Sequence, residues 1–193
     1  NGAKTMQENN ELRASLWDAA NTLRGSAVDR TDWKGYILPL LFFKRISDVW
    51  DEETVEAQEI YGEADPSLFP EIHRFVVPDG CHWNDVREIA ANVGAALHRA
   101  MQEIERANPD TLFRVFGTAD WGNKEKFSDE LLKDLIEGFS DIRLGNTAVS
   151  TDVLGDAYEY LIGKFADVTR RNEAGEFYTP RSVVRMMVEI LDP

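Results

Sequence analysis

The residues best suited to chemistry lie near the C-terminus, in the stretch AGEFYTPRSVVRMMVEILDP from Ala174 to Pro193. Phe177 and Tyr178 follow a flexible glycine and present two flat aromatic faces at a turn. Thr179 then caps a helix that begins with Pro180, and the free amide groups of its first turn favour an anion such as a carboxylate. The pattern predicts either an anion-binding helix start or a capped helix whose rings pack against a neighbour.

The acidic surplus of the chain is not uniform along the sequence. The chain carries a formal charge of -14, but from Lys164 onward there are five basic and five acidic residues. The acidic surplus therefore lies before Lys164, and a contact to an anionic partner is expected in the later part. The cluster of Lys164, Arg170 and Arg171 is the candidate, and a solvated loop is the alternative.

Cys81, His82 and His73 are the residues that a metal site would use. Two of them are sequence neighbours, no CxxC or HxxxH spacing is present, and no fourth ligand is apparent. We therefore predict a packed cysteine and loop histidines rather than a metal centre. No catalytic residue is predicted, since the sequence shows neither a Walker loop nor a nucleophile elbow.

The composition is that of a globular protein, with 43% hydrophobic and 29% charged residues in a chain of 193. So acidic a chain is a poor general binder of nucleic acid, because phosphate contacts need Lys and Arg. Cys81 is the single cysteine, which excludes an internal disulfide and indicates a reducing cytoplasm. The longest apolar run, Tyr36 to Phe43, is too short to span a bilayer.

Periodicity predicts a mainly α fold, a helical bundle with at most one or two short strands. One helix covers about residues 7 to 24. A second is capped by Thr31 or Asp32, with a first half that is apolar nearly all round and kinked at Pro39, and an acidic, solvated tail. A short strand is expected over Arg74–Val77.

The later helices carry clearer start and stop signals. Asn84 or Asp85 begins a helix with one long apolar stripe, which ends at the Asn-Pro pair of residues 108 and 109. Ser128 caps the next helix, and Thr151 or Asp152 starts another, which the polar stretch DVTRRNEAGE breaks from Asp167. The last helix opens at residues 179–180.

Four stretches, taken together, are similar to a known family. LWDAANTLRG, YILPLLFFKRISD, DVLGDAYEYLIGKFA and GEFYTPR occur in this order, and they resemble the modification subunit of type I restriction-modification systems, an adenine-specific DNA methyltransferase. The resemblance divides the chain into a helical N-terminal domain, residues 1–166, and a linker loop with the first helix of the methyltransferase catalytic domain, residues 167–193.

The resemblance also implies a cofactor and partners. In the family, the aromatic-Thr-Pro motif lines the S-adenosyl-L-methionine pocket, so cofactor contacts are expected from Glu176, Phe177, Tyr178, Thr179, Pro180 and Arg181. The implied reaction methylates the adenine 6-amino group of a flipped-out base in duplex DNA. The expected partners are a DNA-specificity subunit, a second modification subunit and a restriction subunit, in the prokaryotic cytoplasm, with DNA near Lys164, Arg170 and Arg171.

The glycine-rich cofactor loop and the distant Asn-Pro-Pro-aromatic turn of the family are not in this sequence. We therefore expect a truncated piece that is inactive alone, binds the cofactor weakly or not at all, and serves in subunit docking and DNA enclosure. The alternative is a freestanding helical protein-interaction module without a role in methyl transfer.

Overall fold

The computed structural model describes residues 2–62 and 70–172. Within these ranges there are six α-helices, three short 3-10 helices and no strand, so the prediction of a mainly α fold is confirmed. The helices are α1 (Gly2–Ala20), α2 (Trp33–Tyr61), α3 (Trp83–Arg87), α4 (Val93–Ala107), α5 (Asp129–Ser140) and α6 (Thr151–Asn172). The 3-10 helices are Asn21–Leu23, Arg30–Asp32 and Pro70–Ile72. No helix in these ranges combines the length and the hydropathy that a membrane span requires.

The first half of α2 forms the centre of the core. Its residues from Tyr36 to Ser47 are all buried, as the apolar sequence predicted. Phe43 packs against Trp83 with ring centroids 5.3 Å apart, and Tyr36 meets Phe127 at 4.7 Å. Aromatic residues from the segments around α3 and before α5 thus enclose the helix.

Helices α1 and α6 pack against each other on another side of the core. Trp17 of α1 contacts Phe165 of α6 with ring centroids 6.0 Å apart. Leu16, Leu154 and Leu161 are fully buried between the helices and the rest of the core. Helix α1 begins at Gly2 rather than near residue 7, and its first turns are exposed.

The long helix predicted from Asn84 to residue 107 is wrong, because the chain breaks between α3 and α4. Asn92 adopts a left-handed conformation with φ of 57°, which a continuous helix does not permit. The two carboxylate oxygens of Asp129 accept hydrogen bonds from the Asn92 and Val93 amides, each at 3.0 Å. A side chain from α5 therefore satisfies the free amides at the start of α4, and Ile89 is exposed.

The strand predicted at Arg74–Val77 is also absent. The Asn108 side chain accepts from the Val76 amide and donates to the Val76 carbonyl, both at 2.8 Å. The Arg74 amide donates to the Glu53 carboxylate at 3.0 Å. Side chains thus take the place of a partner strand, and the backbone groups are satisfied without a sheet.

Most of the predicted helix ends are confirmed, although some caps differ. The Ser128 hydroxyl accepts from the Leu131 amide at 3.1 Å, and α4 ends at Ala107 before the Asn-Pro pair. Before α2, Asp29 rather than Asp32 supplies the capping side chain, to Thr31. His82 caps α3, ahead of the predicted Asn84.

The bond from Asp129 to α4 makes stability depend on pH. The hydrogen bond from the Asn92 amide lowers the pKa of Asp129 most, and the bond from the Val93 amide adds to the effect. Together they hold this pKa below its ordinary value of 3.8. Its contribution is therefore present above pH 3.8 and lost as the pH falls through the folded-state pKa. Asp129→Asn should lower the Tm by a few degrees at pH 7, and the gap to wild type should shrink below about pH 4 in thermal melts.

Glu130→Gln is the matched control, since it removes a charge from the same first turn of α5. It should change the Tm much less than Asp129→Asn. A gap for Asp129→Asn that stays constant from about pH 7 to about pH 3 would contradict the capping role of the carboxylate.

Candidate functional site

Helix α6 precedes the predicted cofactor segment in the sequence. It continues to Asn172, beyond the break predicted at Asp167. The prediction took a polar stretch for a helix end, but residues 167–172 contain neither glycine nor proline, and polarity alone does not stop a helix. The division into domains at residue 166 stays a prediction.

Residues 141–150, the α5–α6 connection, are held by polar side chains of α2. Lys44, Asp48 and Glu52 are spaced four apart and therefore lie along one face of α2. The Lys44 ammonium donates to the Ile142 carbonyl at 2.9 Å and to Asp48 at 2.6 Å. Asp48 in turn accepts from the Leu144 amide at 2.8 Å.

Arg45 is the most deeply buried member of this set, with 1% of its surface exposed. Its guanidinium donates to the Leu144 carbonyl and to the Asn146 side-chain oxygen, each at 2.5 Å. Burial lowers the pKa of Arg45 and raises the pKa of the neighbouring Tyr158 hydroxyl. The tyrosine therefore stays neutral, and the connection supplies the acceptors that a buried guanidinium requires.

Glu52 completes the set at the solvent side. Its carboxylate accepts from the Thr147 amide at 3.1 Å and from the Thr147 hydroxyl at 2.6 Å. A Cβ on Gly145 would overlap this carboxylate, so a larger residue at that position would have to displace the Glu52 side chain. The acidic tail of α2 was expected to be solvated, but its first turn is engaged with the connection. We name Lys44, Arg45, Asp48 and Glu52 the α2 clamp.

The clamp fixes the point at which α6 begins. After the clamped residues, the Ser150 hydroxyl accepts from the Val153 amide at 3.3 Å and caps the new helix. This confirms the predicted helix start at Thr151. Both ends of the connection are thus tied to helices of the core.

The predicted DNA-contacting residues lie on α6. The Lys164 ammonium lies 5.5 Å from the Tyr160 ring centroid and 5.7 Å from that of Trp17. Arg13 of α1 also lies over the Tyr160 ring, at 5.5 Å. Arg171 follows Lys164 by seven positions, which is about two helical turns. Lys164 therefore has cation–π contacts, and its role toward DNA stays a prediction.

The predicted cofactor segment lies outside the described residues. It comprises Glu176, Phe177, Tyr178, Thr179, Pro180 and Arg181. Its contact with S-adenosyl-L-methionine stays a prediction from the sequence.

The residues considered as metal ligands are engaged within the fold. Nδ1 of His82 accepts from the Asn84 amide at 3.0 Å, and Nε2 faces Asp51 at 2.8 Å. His73 stacks on Trp50 and is hydrogen-bonded to Thr54, and burial lowers its pKa. The buried Cys81 thiol donates to the Asp79 carbonyl at 3.7 Å. In the described ranges no group of His, Cys, Asp and Glu could hold a metal ion.

Two protein families match successive parts of the chain. The HsdM N-terminal domain family matches residues 12–139, which is more than half of the chain. The chain belongs to this family. A second family, N-6 DNA Methylase, matches residues 149–193. The predicted resemblance to type I modification subunits is confirmed, and most of the α5–α6 connection lies between the two matches.

Individual relatives agree with the family. The chain is 26% identical over 205 residues to the type I restriction enzyme MjaIX methylase subunit of Methanocaldococcus jannaschii, covering 94% of this chain and 35% of that protein. It is 23% identical to the type I restriction enzyme EcoKI methylase subunit of Escherichia coli (strain K12), and the alignment covers 96% of this chain and 31% of that protein. The chain thus spans about a third of the length of these curated relatives.

A solved structure shares the fold. The methyltransferase subunit of a type I restriction-modification system from Streptococcus thermophilus aligns with a TM-score of 0.60 and 23% identity. The alignment covers 92% of this chain and 42% of that chain.

Sequence reasoning missed the α2 clamp. Its basic residues stand inside the apolar run of α2, where charged side chains are rarely buried unless they are paired. The four-residue spacing of Lys44, Asp48 and Glu52 was the available signal. It shows that the three share a face, but it does not show that residues 141–150 cover that face.

Gly145→Ala tests the clamp directly. The added methyl group displaces the Glu52 carboxylate, and Thr147 is deprived of hydrogen bonds to a charged group, each worth about 1.5–3 kcal/mol. Amide hydrogen exchange at Thr147 should therefore rise about tenfold or more, as measured by NMR or mass spectrometry.

Gly155→Ala is the control, because a methyl group there meets no atom within 4 Å. Its exchange at Thr147 should match wild type. Unchanged exchange at Thr147 in Gly145→Ala would mean that Glu52 does not hold the connection.

Proposed function

We propose that the chain acts as the N-terminal helical part of an adenine-specific DNA methyltransferase subunit in a type I restriction-modification complex. The observation that carries the proposal is the order of the two family matches, the HsdM N-terminal domain followed by N-6 DNA Methylase. The α2 clamp supports the proposal, because it holds the connection before residue 149, the first residue of the N-6 DNA Methylase match, against the helical core.

The proposed reaction transfers a methyl group from S-adenosyl-L-methionine to the adenine 6-amino group of a flipped-out base. The segment from Glu176 to Arg181 would form one edge of the cofactor pocket, and its position within the N-6 DNA Methylase match supports this role. The helical part would dock on partner subunits and help to enclose DNA. The partners would be a DNA-specificity subunit, a second modification subunit and a restriction subunit.

The 193-residue chain alone should not transfer methyl groups. A methyltransferase core of the nucleotide-binding type is built on a doubly wound sheet, and residues 2–62 and 70–172 contain no strand. We therefore propose that the activity belongs to the full-length subunit, of which this chain would be the N-terminal part.

Reconstitution tests this assignment. The chain is mixed with a methyltransferase core and a specificity subunit of a type I system from the same genome, and tritium transfer from labelled S-adenosyl-L-methionine to duplex DNA is measured. Methylation should require the chain, and the chain alone should give none. Transfer by the chain alone, or transfer by the mixture that does not depend on the chain, would refute the proposal.

We further propose that Lys164, Arg170 and Arg171 contact the DNA backbone in that assembly. Their replacement by alanine should weaken DNA binding and flatten its dependence on salt, with the log–log slope reduced by about 0.9 for each phosphate that is no longer neutralised. The exposed residues Lys4, Arg24 and Lys126 provide a control in which the same amount of charge is removed. Equal effects in both triple variants would discard a specific contact.

A further inference from the structure

A groove of about 610 Å³ lies between α1 and the end of α5. One wall is a stripe of α1 that includes Glu8, Glu11, Ser15 and Asp18, spaced three or four residues apart. The opposite wall includes Asp141, in the turn that follows α5. The groove therefore follows the axis of a helix over several turns.

Part of the groove lining is apolar. Leu12, Ala19 and Ile142 form this part, and a Cβ on Gly138 would meet the Cβ of Ala19 at 3.6 Å. Ser15 stands at the middle of the α1 stripe and is exposed. Small side chains at this position allow another helix to approach α1 closely, since the distance between helix axes depends on the side chains at the contact.

The rim of the groove is strongly acidic. Glu8, Glu11, Asp18 and Asp141 line it against a single basic residue, Arg143. The Glu8 carboxylate lies 3.9 Å from the ammonium of the exposed Lys4. The Glu11 carboxylate accepts a hydrogen bond from the Gln7 side-chain amide. The charge of the rim therefore favours a cationic occupant.

The first turns of α1 have a largely solvent-exposed surface. Residues 2–8 are all exposed, and Met6 has 63% of its surface exposed. A hydrogen bond from Asn9 to Asp156 ties the following turn to α6. Helices in proteins owe most of their stability to packing of an apolar face, and a partner along α1 would supply that packing.

We propose that the α1–α5 groove binds a helix of a different protein, one that carries Lys or Arg residues beside a face of small apolar side chains. A second copy of this chain fits poorly, because it would bring a surface of the same sign to an acidic rim. In a symmetric dimer through this groove, the two acidic rims would face each other. The inference does not rest on the methyltransferase role.

A synthetic peptide tests the groove. The probe is a fluorescein-labelled helical peptide of about 20 residues, with Ala and Leu on one face and Lys beside it, titrated against the 193-residue chain and followed by anisotropy. Wild type should bind saturably. The double variant Glu11→Gln/Asp18→Asn should bind about tenfold more weakly, a difference of about 1.4 kcal/mol.

Two further variants separate the groove from general acidity. Glu56→Gln/Glu59→Gln removes the same charge from the exposed tail of α2 and should bind as wild type does. Ser15→Tyr leaves the charge unchanged but fills the groove, and it should also weaken binding. All of these changes are at exposed positions, so circular dichroism should show wild-type helicity and Tm.

Three outcomes would overturn the proposal. Absence of saturable binding to wild type removes the groove as a docking site. Equal weakening in the Glu11/Asp18 and Glu56/Glu59 variants shows general attraction to an acidic protein. Dimerisation in sedimentation experiments that Ser15→Tyr abolishes assigns the groove to a second copy of this chain.

Discussion

The burial of Arg45 in the central helix is the constraint on which the rest of the structure depends. A guanidinium inside an apolar core must find acceptors, because an unpaired buried charge costs several kcal/mol. The Leu144 carbonyl and the Asn146 side chain provide them. These bonds hold the α5–α6 connection against α2, and α6 starts beside the core, where it packs along α1. One buried charge thus holds the connection that lies between the two matched segments.

How far the sequence predicts this fold depends on the range of the interactions involved. The burial of α2 and the cap at Ser128 follow from local pattern and were predicted correctly. The break before α4 depends on Asp129, 37 residues after Asn92. The missing strand depends on Asn108, 32 residues after Val76. Hydrogen bonds to such distant residues leave no trace in the local sequence pattern. A prediction from local pattern therefore extended the helix through Asn92 and placed a strand at Arg74–Val77.

The candidate site shows the same division. The stretch around Phe177 and Tyr178 was recognised because a family motif is local, and the N-6 DNA Methylase match includes it. The α2 clamp was missed because its meaning depends on which loop covers it. The family match places α6 with the methylase segment, whereas packing joins α6 to α1 through Trp17 and Phe165. Helix α6 therefore belongs to the helical core, whichever sequence family describes it.

Native-state hydrogen exchange tests this claim most directly. If the clamp and the α1 contact make α6 part of the core, amides of Leu154 to Leu161 should open with the same free energy as those of Ile37 to Ile46, within about 1 kcal/mol. If α6 instead opens several kcal/mol more readily than α2, it is a separate unit. The clamp would then not join the two matched segments.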